Sequence, residues 1–327
     1  AISDIFSRPV AYKDGVNPPA YVTTPAEADF TVLGGSNLSA TVAPYVEDYE
    51  FLGWSMAALG DINGDNYDDM IIGAPGCGGQ WGYGTWGGTT NAPGKAFILM
   101  GGPGGTFDTV TYSGTRLYTI TQVTSTILGT QCFGWRVAGF GDYNDDGFSD
   151  FGITDKSYDL PGSSGTNNYE GALFVYFGDG TLGDLTTDYA GMKMRSEWEI
   201  TTSDHFGISL APSVETVNTP MGDFNNDGIP DILVGAQHFG SWHGSAFVWY
   251  GNATLVPNTQ PSAWTTYEEA TFWFTPPTPN GFWGVTSLWL GDSNNDGYSD
   301  IAIGDPIWDG LYGSPSNPYM GRVTVIY

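Results

Sequence analysis

Asp61-Ile-Asn63-Gly-Asp65-Asn-Tyr67-Asp-Asp69 sets side-chain oxygens at positions 1, 3, 5 and 9 of a nine-residue stretch, with a bulky residue at position 7. The pattern returns as Asp142-Tyr-Asn144-Asp-Asp146-Gly-Phe148-Ser-Asp150, Asp223-Phe-Asn225-Asn-Asp227-Gly-Ile229-Pro-Asp231 and Asp292-Ser-Asn294-Asn-Asp296-Gly-Tyr298-Ser-Asp300. Its first aspartates lie 81, 81 and 69 residues apart. Repetition at such a period marks an array of like units, none able to bury its own faces alone. Working outward, a bulky residue and a glycine precede each motif: Leu52-Gly53, Phe133-Gly134, Phe206-Gly207 and Trp283-Gly284. The third copy has a longer approach, which places an insertion within Pro212–Pro220. Behind the motifs come Gly73-Ala-Pro75, Thr154-Asp-Lys156, Gly235-Ala-Gln237 and Gly304-Asp-Pro306. A glycine-led apolar run follows in each, beginning at Gly94, Gly171, Gly244 and Gly321.

All these apolar runs are short, rich in β-branched and aromatic residues, and bounded by Gly, Pro, Asn or Asp, which reads as strands joined by turns. No stretch carries helical periodicity. In the first repeat the expected strands are Gly53–Leu59, Met70–Ala74, Ala96–Met100 and Arg116–Val123. Four-stranded units repeated in sequence point to an all-β fold, a β-propeller of four-stranded blades. The repeats run over about 51–131, 132–204, 205–280 and 281–327. The last stops after its third strand, so 28–50 is expected to help close that blade within a propeller spanning 28–327. Residues 1–27 form an N-terminal extended arm, which could make a divergent fifth blade, lie along the surface or reach a neighbouring subunit. The chain opens at Ala1 without a leader pattern, as an exported chain stripped of its signal peptide would.

The order of bulky residue-Gly, D-x-N-x-D-x-x-x-D and Gly-Ala-Pro resembles the FG-GAP repeat of integrin α-subunit head domains and related extracellular proteins. The resemblance covers about Phe51 to Tyr327. It implies a propeller with calcium held in inter-strand loops. The second repeat departs from it by lacking Gly-Ala-Pro, and integrin members carry more blades than the four motifs seen here.

The chemistry of the motif leads to the same ion. Calcium takes six to eight oxygens in flexible geometry, roughly what four side chains and a main-chain carbonyl can offer together. The expected ligands are Asp61, Asn63, Asp65, Tyr67 and Asp69; Asp142, Asn144, Asp146, Phe148 and Asp150; Asp223, Asn225, Asp227, Ile229 and Asp231; and Asp292, Asn294, Asp296, Tyr298 and Asp300. The position-7 residues would lend their C=O groups while their side chains anchor in the core. Position 6 (Asn66, Gly147, Gly228, Gly297) tolerates the positive φ that a sharp turn needs. Oxygen-only donors disfavour zinc and copper, and magnesium wants a tighter octahedron. The plain alternative is a solvated Asp/Asn/Gly turn. Three carboxylates in nine residues repel one another without a cation, so about four Ca²⁺ are expected, in a structural role.

Composition narrows the partners. The chain holds 327 residues, with 9 Lys+Arg against 36 Asp+Glu and a net charge of −27, which excludes a phosphate-tracking surface and hence nucleic acid. Anionic membranes are disfavoured for the same reason, and no apolar run is long enough to span a bilayer. Cys77 and Cys132 are expected to form one disulfide, with two buried free thiols as the alternative. Asn37-Leu-Ser39 and Asn252-Ala-Thr254 are glycosylation sequons. His238 and His243 flank Trp242 in what reads as a surface loop. The Gly-rich stretch Cys77–Gly94, with Trp81, Tyr83 and Trp86, suits recognition of a sugar or a protein. The expected function is a secreted or cell-surface calcium-binding propeller, non-enzymatic, acting in adhesion, matrix structure or subunit assembly. Its partners would be protein or glycan ligands, or further copies reached through the arm to build a filament. A lectin or carbohydrate-active enzyme on the same scaffold is the alternative.

Overall fold

The computed structural model describes residues 51–76, 94–103, 117–121, 132–159, 169–180, 190–195, 204–213, 221–255, 264–276, 281–308 and 320–327. The expected arm, the closing segment 28–50, Cys77, Asn37 and the aromatic loop 77–93 lie outside the described residues.

The fold is all-β, with a single four-residue helix, α1 (Phe239–Trp242), among the described residues. Sheet 1 is an antiparallel meander of β1 (Ser55–Gly60), β2 (Asp69–Ala74), β3 (Lys95–Leu99) and β4 (Leu117–Thr121). Each strand falls within a residue or two of its expected place. Sheet 2 repeats the meander with β5 (Phe133–Gly141), β6 (Asp150–Asp155), β7 (Ala172–Tyr176) and β8 (Met192–Arg195). Sheet 3 begins with β9 (Phe206–Ala211), β10 (Ile232–Ala236) and β11 (Ser245–Trp249). Before completing that sheet the chain detours: β12 (Thr265–Thr266) pairs in parallel with β8, and only then does β13 (Phe272–Phe274) join β11. Trp264 explains the detour, because it packs 5.8 Å from Phe174 and 5.2 Å from Tyr158 on sheet 2. Residues 264–266 of the third repeat thus belong to the second sheet. Sheet 4 has three strands among the described residues, β14 (Thr286–Gly291), β15 (Asp300–Asp305) and β16 (Arg322–Ile326).

In sheets 1, 2 and 4 the register slips just before the aspartate motif, at Gly60, Gly141 and Gly291. All three have φ between 65° and 73°, the left-handed glycine of a β-bulge that turns the chain into the loop. In the third repeat β9 instead ends at Ala211, before the expected insertion.

The sheets stack face to face in sequence order, with a core at each junction. Leu59, Ile71 and Ile98 of sheet 1 meet Phe151, Ile153 and Phe174 of sheet 2. On the other side of sheet 2, Phe140, Leu173 and Val175 meet Phe206, Val234 and Phe247. Leu233 and Val248 then meet Trp289, Ile301 and Ile303 of sheet 4. Sheets 2 and 3 are therefore covered on both faces, and β6 and β10 are buried at every residue. Each fully buried large side chain contributes about 1.5–3 kcal/mol.

Candidate metal centre

The four motifs occupy the same place in each sheet, the turn between its first and second strands, and they fold alike. Position 1 organises the turn. Asp61 Oδ1 accepts the N–H groups of Gly64 (2.7 Å) and Asp65 (3.1 Å), and its Oδ2 accepts that of Asn66 (2.7 Å). Asp142, Asp223 and Asp292 repeat this, each taking the N–H groups of positions 5 and 6 at 2.8–3.1 Å. Position 3 is drawn to position 5: the Asn63, Asn144, Asn225 and Asn294 amides donate to Asp65, Asp146, Asp227 and Asp296 at 2.8–3.2 Å. Those aspartates in turn accept the N–H of Tyr67, Phe148, Ile229 and Tyr298.

Two left-handed residues close the turn. Position 6 was expected: Asn66, Gly147, Gly228 and Gly297 have φ of 66°, 95°, 91° and 98°. Position 4 was not, although Gly64, Asp145, Asn226 and Asn295 are the residue types that adopt such φ readily.

Position 9 does more than was foreseen. Asp69, Asp150 and Asp231 are buried and bracket two strands. One oxygen accepts the N–H of position 2 (Ile62, Tyr143, Phe224), and the other that of Gly101, Gly178 or Gly251 beyond the third strand, at 2.7–3.2 Å. In the fourth copy Asp300 Oδ2 accepts the Ser293 N–H at 2.8 Å and the Ser293 hydroxyl, while its buried Oδ1 has no donor among the described residues. Burial, helped by the neighbouring carboxylates, pushes the Asp150 and Asp231 carboxyls up to about 8 and Asp69 to about 6.

Position 7 corrects one expectation. Tyr67 and Tyr298 are exposed rather than anchored in the core. Phe148 lies against Gly64 of the preceding loop, where an added Cβ would come within 2.7 Å of its ring. Successive loops are also tied through position 8. The Ser149 N–H donates to Asp61 O (3.1 Å) and the Ser299 N–H to Asp223 O (2.9 Å). Pro230 lacks that donor, and the middle pair is joined by the Asn252 N–H to Tyr143 O (3.0 Å) instead.

Among the described residues, no three His, Cys, Asp or Glu side chains form a grouped metal cage. Each loop instead holds its carboxylates on its own N–H groups. The donor set still fits a hard divalent cation. It is oxygen only, three carboxylates and an amide per loop, and the buried Asn144 Oδ1 has no hydrogen-bond donor among the described residues. A cation would satisfy that oxygen and hold the buried carboxylates ionised.

The other expected sites fall out variously. Cys132 is buried beside Ser157, its sulfur 3.3 Å from the hydroxyl. Asn252 is exposed, and its Oδ1 accepts the Thr254 hydroxyl at 2.8 Å. His238 is not in a surface loop. It is buried, 4.9 Å from the His205 ring and 4.9 Å from Phe282, between sheets 3 and 4. His243 bonds Gly240 O within the turn of α1. His205 stacks on Tyr169, and the buried Lys156 ammonium lies 4.6 Å over the Trp135 ring. The His205, His238 and Lys156 contacts join residues distant in sequence, so no local signal marks them.

Comparison with known proteins agrees with the repeats. Residues 52–89 match the FG-GAP repeat model and 223–303 the FG-GAP-like repeat model. The phosphatidylinositol-glycan-specific phospholipase D of Dictyostelium discoideum is 27% identical over 237 residues, 70% of this chain and 21% of that protein. Integrin alpha-6 of Gallus gallus is 29% identical over 181 residues, 53% of this chain and 13% of its own length. Integrin alpha-E of Mus musculus is 34% identical over 101 residues, 31% of this chain and 8% of its length. The chain thus spans about a fifth or less of these relatives. With a motif recurring at one place in four like sheets, and three of its copies inside stretches matched by repeat models, this chain carries FG-GAP repeats of an integrin-like kind.

Proposed function

We propose that this chain is a calcium-stabilised β-propeller module that works outside the cell by binding and assembly rather than by catalysis. One observation carries the reading: four D-x-N-x-D-x-x-x-D loops share one hydrogen-bonded geometry at one end of four stacked sheets. In each loop the side chains of positions 1, 3, 5 and 9 and the carbonyl of position 7 would hold one Ca²⁺. The ion supplies charge compensation and cross-links a turn whose carboxylates otherwise repel. Relatives named as integrin alpha subunits support the surface-exposed role. No helix among the described residues is long and apolar enough to cross a membrane.

A second reading draws on the match to phospholipase D, which extends over 70% of this chain. In it the module serves an enzyme that acts on a glycan-bearing lipid, presenting substrate without performing the chemistry. Vesicles carrying phosphatidylinositol-glycan separate the two. Calcium-dependent retention on them would favour the second reading, and indifference to them the first.

The calcium assignment is tested by titration calorimetry of the full chain and of Asp146→Ala. The expected result is about four ions for the parent and one fewer for the variant. Equal stoichiometry in the two proteins would remove loop 2 from the assignment.

A further inference from the structure

The three junctions between sheets share one construction. A bulky residue and a positive-φ glycine from the start of one sheet lodge against two positions of the sheet before it. At the first junction the pair is Phe133-Gly134. A Cβ on Gly73 would come 2.2 Å from Gly134 O, one on Gly94 2.3 Å from Phe133 O, and one on Gly134 2.2 Å from Lys95 O. At the second, Phe206 pairs with Gly171, where a Cβ would come 2.1 Å from Phe206 O, and Gly207 presses on Thr154. At the third, Trp283 pairs with Gly244, and Gly235 and Gly244 would each place a Cβ 2.0 Å from the carbonyls of Gly284 and Trp283. The Ser55 and Ser209 hydroxyls fasten the first and third junctions by donating to Gly134 O and Gly284 O. Main chain meets main chain here, so only these shapes fit.

The outermost sheets carry the two unmatched halves of the same junction. On sheet 1, Leu52-Gly53 has the right conformation (φ 89° at Gly53), yet a Cβ there would meet nothing within 4 Å among the described residues. On sheet 4, Gly304 and Gly321 are the fourth copies of Gly73 and Gly94. Among the described residues Gly304 meets only Thr286, and Gly321 only Asp305 and Pro306, all at the same sheet. Around them runs an open groove of about 470 Å³ floored by Val285, Thr286, Pro306 and Val323. The faces beside both halves are apolar: Met56 is 64% exposed on sheet 1, Leu288 52% and Val323 70% on sheet 4.

We propose that these halves are two sides of one interface, filled head to tail by a second copy of this chain, with Leu52-Gly53 of one copy seated in the Gly304/Gly321 groove of the next. The three internal junctions show what the groove accepts. Of the four bulky residue-Gly pairs that precede an aspartate motif, only Leu52-Gly53 has no seat among the described residues, and it lies at the far end of the stack from the groove. A contact of this kind is heterologous, and it closes into a ring or continues as a filament. Two copies would bring together eight sheets, the upper end of the roughly four to eight blades of propellers. The proposal concerns the assembly role put forward above but needs no bound calcium, so its failure and that of the calcium assignment are separable.

The test is the solution mass of the full chain by sedimentation equilibrium, over a range of concentrations, with calcium and again with chelator. Salt near physiological strength screens the mutual repulsion of two chains of net charge −27. The parent is expected to associate. Met56→Asp should block the sheet 1 face and Val325→Asp the sheet 4 face, each leaving a monomer that melts as the parent monomer does. Leu288→Glu serves the same purpose should Val325→Asp fold poorly. Mixing the two blocked variants restores one intact interface and should give a pair that grows no further. A parent that stays monomeric at the highest concentration overturns the proposal, and the groove then belongs to this chain's own residues 1–50. Association that survives both substitutions overturns it as well.

Discussion

Sheets 2 and 3 differ from sheets 1 and 4 in burial far more than in sequence. β6 (DFGITD) and β15 (DIAIGD) read almost alike, yet β6 is buried throughout while Ala302 and Gly304 of β15 are only half-buried. The same contrast separates β9, buried at every position, from β1, where exposed and covered residues alternate. Neighbours make the difference. An inner sheet has a partner on each face, whereas an outer sheet keeps its apolar face without one among the described residues. Repeat sequences are thus written for a two-sided environment, and the end units carry the same script without the second neighbour.

The largest effect expected from this contrast is in the core. Phe247 is fully buried and packs 5.0–6.2 Å from Phe206, Phe239, Trp249 and Tyr267. Phe247→Ala should cost about 3–5 kcal/mol in urea denaturation, against under ~1 kcal/mol for Val325→Ala, whose side chain is 40% exposed. Comparable losses would mean the sheet 4 face is covered after all. A finer comparison uses two glycines at one repeat position. Gly53→Ala and Gly134→Ala share the strain of φ near +90°, about 1 kcal/mol, but only the second meets a carbonyl oxygen at 2.2 Å. Gly134→Ala should therefore be the worse by roughly 1–3 kcal/mol, and equal costs would discard the junction geometry.

Smaller still is the effect of acid on the inner seam. Desolvation first, then the Lys156 and His238 charges, lowers the His205 pKa from 6.5 to about 3. The unfolded chain takes up a proton that the folded chain refuses, so this group's contribution is whole above pH 6.5 and is lost as pH falls towards 3. Roughly 1 kcal/mol should go between about pH 6.5 and 5.5. With Tyr169 stacked on the ring and Lys156 and His238 beside it, His205→Gln should flatten that part of the stability profile. An unchanged slope would show that His205 titrates normally.

What could be read in advance followed local punctuation. Gly94 and Gly101 bound β3, and a short apolar run fills it, so its limits were legible to within a residue. Position 6 of each loop is legible for the same reason, and the Gly, Asp and Asn at position 4 carry the same signal. Long-range events were not. Asp69 brackets Gly101, 32 residues on, and His238 meets His205 at one end of sheet 3. β12 leaves its own repeat because Trp264 finds aromatic partners on sheet 2. No local pattern encodes such meetings, since each joins residues far apart in sequence that only the assembled sheets bring together.

Thermal melting of the full chain in calcium and in excess chelator asks whether the ions proposed for the four loops hold the stack together. A ligand that binds only the folded state at about 100 times its Kd adds about 2.7 kcal/mol per site. With one ion in each loop, chelation should lower the Tm by on the order of 10 °C or more. Superimposable melting curves in calcium and in chelator would contradict the account.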